Sequence, residues 1–175
     1  MQDKKKAKSY EKGVMKEVTV HQLMDLTGPW CPTGMANEFF EPQGVAKDTL
    51  KELFPGCKCE VSRLVRGPHN VMCATDMVIL EVHGGFRVAK FLIALKVDGV
   101  ERALVEPWFH SSTSDRYEST WACARHMQCV HTSKLLHSVH YSMGLKGGAM
   151  NVLTPSVFLS SSNKWCSNEI AGEDE

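Results

Sequence analysis

Between Asp76 and His110 a run of strand-forming residues is interrupted only by Gly84-Gly85 and Asp98-Gly99. These pairs supply the positive φ values that tight hairpin turns require. Val78, Leu80 and Val82 alternate with Glu81 and His83, and Phe91, Ile93, Leu95 and Val97 have the opposite parity to Lys90 and Lys96. Each strand can therefore bury one face, as antiparallel sheets commonly do. The pattern predicts a meander over Val78 to Val105. Pro107 lacks the N–H a central strand would donate, so pairing is expected to stop or reach an edge just before Trp108.

Downstream, Asp115 is followed three positions later by Glu118, the spacing of a helix capping box. Tyr117, Trp121, Ala124, Met127, Val130, Leu135 and Val139 then recur mostly three or four apart. The expected fold is a single α+β domain, with the antiparallel meander packed by a long helix over Asp115 to Ser142, bent or split near Thr132-Ser133. Gly144 ends that helix, Lys146-Gly147-Gly148 makes a turn, and Val152 to Ser160 reads as a last strand or edge segment.

Upstream of the meander, Glu17 to Val20 reads as a weak strand. Residues 27–44 contain GPWCPTG and EPQG, the punctuation of a long loop. Val45 to Phe54 reads as a short amphipathic helix stopped by Pro55-Gly56. Cys57 to Arg66 and Val71 to Val82 read as strands joined by Gly67-Pro68. Residues 1–13 are polar and lysine-rich, the composition of a disordered basic arm. Residues 14–168 then form the globular domain and residues 169–175 an acidic tail.

A chain of 175 residues with 43% hydrophobic content can fill one core. No apolar run approaches the ~20 residues of a membrane span, so an integral membrane protein is not expected. The first residues are charged with no apolar segment behind them, which predicts no secretory leader and a reducing compartment. Seven cysteines, an odd number, also argue against a complete disulfide framework. The formal net charge of zero hides a polarity. Lys4, Lys5, Lys6, Lys8, Lys12 and Lys16 against Asp3 and Glu11 give the first sixteen residues +4, while Glu169, Glu173, Asp174 and Glu175 give the tail −4. Attraction to phosphate is thus expected mainly from the basic arm.

Cys123, His126, Cys129 and His131, with Cys57 and Cys59 as distal candidates, are the residues whose types and spacing suit zinc. On one helix the first three would drift around the surface, so a closed site is not expected there. Cys31 lies between Trp30 and Pro32 with no local nucleophile signature. Gly84-Gly85 and Gly147-Gly148 are too short to cradle phosphates. The sequence thus implies no catalytic residue, no cofactor and no enzyme. Pro29, Trp30 and Pro32 form a stiff segment around a large apolar ring, suited to docking on a neighbour or folding over its own domain.

The order of a lysine-rich head, a proline-bearing loop, a meander and an aromatic turn at Trp108 to Ser112 resembles a rhabdovirus matrix protein. The likeness lies in GFRVAKFLIALKVDGVERALVEPWFHSS, residues 85–112, and YSMGLKGGAMNVLTPSVFLS, residues 141–160. Small size and the lack of a PPxY or PTAP late motif resemble a plant-infecting member. The resemblance implies a non-enzymatic structural protein of the virion that acts in the host cytoplasm and peripherally at host membrane. It implies self-association as a homo-oligomer, binding to the anionic inner face of the envelope, and condensation of the viral nucleocapsid without sequence-specific nucleic-acid recognition. It assigns membrane contact to Lys4, Lys5, Lys6 and Lys8, and self-association to Pro29, Trp30 and Pro32. The competing expectation is a zinc-binding viral regulatory protein or silencing suppressor.

Overall fold

The computed structural model describes residues 39–83, 85–123, 127–144 and 148–165. The basic arm, the loop around Trp30, the weak strand at Glu17 to Val20 and the acidic tail lie outside these residues.

A helix, α1 (Gly44–Leu53), precedes eleven strands: β1 (Cys59–Ser62), β2 (Leu64–Arg66), β3 (Val71–Cys73), β4 (Met77–Val82), β5 (Gly85–Val97), β6 (Val100–Thr113), β7 (Glu118–Cys123), β8 (Gln128–His131), β9 (Leu135–Ser138), β10 (His140–Met143) and β11 (Ala149–Leu153). Short 3₁₀ stretches cover Thr132–Lys134 and Ser156–Lys164. Nine of the strands make one antiparallel sheet in the order β10-β11-β7-β6-β5-β4-β9, with β1 added to β5 and β8 to β6. β2 and β3 form a separate ribbon.

The expected α+β fold with a long helix over Asp115 to Ser142 is overturned. That stretch forms β7, β8, a 3₁₀ turn, β9 and β10, and the molecule is mostly antiparallel β in a half-barrel sheet. The local reason is visible at Asp115. Its Oδ1 accepts from the backbone N–H groups of Tyr117 and Glu118 at 2.7 and 3.0 Å, but the chain then turns back, with Ser114 N–H donating to Glu118 O at 3.1 Å. The residues that suggested a helix cap make a side-chain-supported hairpin turn between β6 and β7.

β4, β5 and β6 are consecutive neighbours. The Asp98-Gly99 loop has φ of 48° and 82°, both left-handed, as a two-residue hairpin between paired Val97 and Val100 demands. β6 runs on through Pro107. What changes there is its partner: β8 pairs with Arg102 to Val105, and β7 takes over from Trp108. Pro107 thus lies between two partners, where one missing N–H costs least.

The sheet is covered on both faces. Leu50 and Phe54 of the α1 segment sit on Val61, Ile93, Leu95 and Leu104, and a bulge in β5 lets adjacent Leu92 and Ile93 both join them. On the reverse face Val65 and Met72 of the ribbon pack on Ala89, Phe91 and Val105. A third cluster joins Ile79 and Val88 to Trp121, Met150, Val152, Phe158 and Trp165. β4 feeds two of these clusters, Val78 and Leu80 one and Met77 and Ile79 the other. β9 and β10, the two ends of the strand order, are separated only by Val139, whose N–H donates to Met77 O at 2.8 Å.

Candidate functional site

Lys4, Lys5, Lys6, Lys8, Pro29, Trp30, Cys31 and Pro32 lie outside the described residues, as does His126 of the zinc candidates. Cys123 ends β7. Cys129 and His131 share one face of β8, opposite Leu104 and Arg102. The arrangement is strand, not the single helix expected from spacing. Cys129 packs half-buried against the cluster under α1, while His131 is exposed and its Nδ1 accepts from Ser133 N–H at 3.1 Å. Among the described residues no three His, Cys, Asp or Glu side chains come together to hold a metal ion.

Cys57 and Cys59 line a cavity of about 60 Å³ together with Glu41, Lys47, Leu50 and Lys51. That volume suits a few waters and falls well short of the ~300 Å³ at which small-molecule pockets begin. Lys58 also lines the cavity, and its backbone N–H donates to Asp98 Oδ1 at 2.8 Å. Burial, with help from Cys57 and Asp98, pushes the Cys59 thiol up to about 11. Burial and the hydrogen bond and charge of Asp98 also raise Cys57. Both thiols are thereby held protonated at neutral pH, the form in which a cysteine is a poor nucleophile.

A column of rings crosses the third cluster. Phe158 stands edge-on to His69 at 5.7 Å and to Phe86 at 5.6 Å; Phe86 meets Trp165 at 6.4 Å, and Trp165 meets Trp121 at 5.3 Å. His110 closes the series 5.1 Å from Trp121, and burial there lowers its pKa. The column fastens the 3₁₀ stretch Ser156–Lys164 over the sheet, and Phe86 also bridges Trp165 through the backbone.

Beyond the column, among the described residues, the same face runs out to β10 without cover. Tyr141 pairs with Val152 and Met143 with Met150, so each exposed side chain lies beside a fully buried one on the same face. All four residues of β10 are exposed. Sequence reasoning missed this margin by placing Tyr141 in a helix. Its signal was the period-two alternation of Tyr141 and Met143 with His140 and Ser142.

Among the described residues no helix is long and apolar enough to cross a membrane. Comparison with protein-family models, curated proteins and solved structures finds no match.

Proposed function

We propose that the chain is a viral matrix protein that self-associates, contacts anionic membrane through Lys4, Lys5, Lys6 and Lys8, and condenses the nucleocapsid. The observation that carries this reading is the margin at β10, where Tyr141 and Met143 stand exposed among the described residues, on a chain whose net charge is zero. Large exposed side chains continuous with a core face mark interaction surfaces. The two stretches of family resemblance contain β5, most of β6, and the segment from Tyr141 through β11 into the following 3₁₀ turn. They therefore include both the central hairpin and this margin.

Four lysines near an anionic surface contribute about 1 kcal/mol each at low salt, a reversible attachment that many associated copies would reinforce. Sedimentation with anionic vesicles tests the membrane role: binding is lost on deleting residues 1–8 and on raising salt, and binding unchanged by the deletion refutes it. Sedimentation velocity tests self-association, and a chain that stays monomeric at every concentration refutes that part. In the same assay, Trp30→Ala weakens assembly without moving the thermal midpoint when the segment Pro29 to Pro32 docks on a neighbour. A large loss of stability with assembly intact would place the ring in its own core.

A further inference from the structure

We infer that β10 is a homotypic docking strand, pairing antiparallel with β10 of a second copy about a two-fold axis at Ser142. This rests on the self-association reading and names its contact. The backbone fixes the geometry. Gly144 N–H donates to Ala149 O at 2.7 Å, in the same register that pairs Met143 with Met150 and Tyr141 with Val152. Hydrogen-bonded and non-hydrogen-bonded pairs alternate along an antiparallel ladder, so His140 and Ser142 direct their backbone groups at β11. Tyr141 and Met143 direct theirs away from it, and among the described strands β10 pairs only with β11.

Those outward groups choose the register. An axis at Ser142 sets Tyr141 opposite Met143 of the second copy and Met143 opposite its Tyr141, and all four outward N–H and C=O groups of each copy find partners. An axis at Tyr141 would instead bring Met143 to Val139, whose N–H is already committed to Met77 O. The Ser142 register also stacks each thioether on a ring, a favourable contact.

The chemistry of the strip favours a second copy over a charged partner. β10 contains no Lys, Arg, Asp or Glu and lacks the Lys, Pro or bulge with which edge strands usually block pairing. An uncharged strip meets its own copy without repulsion. Tyr141 and Met143, side by side on one face of β10, are 49% and 53% exposed. At roughly 200 Å² per large side chain these two offer about 200 Å² per copy, or about 400 Å² in a pair. That is below the size of a stable interface, so strand pairing gives a weak dimer that forms only as concentration rises or as many copies gather.

Full-length chain carrying Ser142→Cys tests the axis, because two cysteines in a directly opposed non-hydrogen-bonded pair lie within disulfide reach. Mild oxidation should give at least fivefold more covalent dimer than the wild type or His140→Cys, whose thiols would lie four residues apart. Tyr141→Lys with Met143→Lys, and Tyr141→Glu with Met143→Glu, should each weaken association at least tenfold in sedimentation velocity, and mixing the two should restore it. If the wild type associates but the lysine variant does so equally, or His140→Cys cross-links as readily, β10 is not the contact and self-association stands. A wild type that stays monomeric sinks both readings. A monomer in which the Ser142→Cys thiol resists alkylation also overturns the inference, showing the edge covered by its own chain.

Discussion

Trp121 and Trp165 touch edge-to-face, yet their indole N–H groups differ, and one substitution made at each site should separate packing from hydrogen bonding. Trp121 Nε1 donates to Ser119 Oγ at 2.8 Å, and both residues are fully buried. Trp165 Nε1 is buried with no acceptor among the described residues. Replacing either indole by phenyl removes about 40 Å² of apolar area, a loss of about 1 kcal/mol. At Trp121 the change also deletes a satisfied hydrogen bond and strands the Ser119 hydroxyl, adding ~1–3 kcal/mol, so Trp121→Phe should cost ~2–4 kcal/mol. At Trp165 it removes a donor whose burial already costs ~1–3 kcal/mol, so Trp165→Phe should range from neutral to ~2 kcal/mol more stable. Both variants keep a ring for the other tryptophan to pack on. Thermal melts at equal protein concentration read the difference, which at ~2–4 °C per kcal/mol should separate the midpoints by at least ~4 °C. Equal losses at the two sites would refute the argument that the N–H partner decides.

A Cβ at Gly67 would lie 2.6 Å from Met72 Cε and 3.0 Å from Leu136 O; Gly67→Ala should therefore cost ~1–3 kcal/mol by thermal melt, and a neutral result would show that the ribbon can shift. With its thiol held near 11, Cys59 should alkylate about tenfold faster per pH unit up to that value, and a plateau near the ordinary value of 9 would contradict its burial. His110 is held below the usual 6.5 by burial, so it contributes stability that is present above 6.5 and lost as pH falls through its folded value. His110→Gln should flatten the fall in thermal midpoint as pH drops below 6.5, and an unchanged slope would assign that fall to other groups.

The central hairpin was legible because its signals are local. Asp98 and Gly99 need left-handed φ, and Val97 and Val100 flank them in register. α1 was legible for the same reason, since its apolar side faces one cluster and Phe54 N–H caps it by donating to Leu50 O. The stretch from Asp115 to Ser142 misled because an apolar residue every third or fourth position also arises from short strands joined by irregular turns. Ser119 and Trp121, two apart and fully buried, show the true period. The density of Ser, Thr, Cys, His and Val between Glu118 and Met143 already disfavoured a helix. Cys129 and His131 were placed on a helix for the same reason and belong to a strand. The β10 margin could not be recognised before β11 was known to be its neighbour, because its meaning lies in Val152 and Met150 being buried beside exposed Tyr141 and Met143.

Were copies to pair through β10, the crossing at Val139 would tie that assembly to folding. β9 is held to β4 by Val78 and Ile79, β10 begins one residue later, and Val139 itself is buried with its N–H on Met77. A second copy that clamps β10 would restrain β4 through a single peptide unit and slow the fraying by which a half-open sheet begins to unfold. Assembled protein should then resist heat and proteolysis better than free subunits, so that resistance would rise with local concentration wherever copies gather.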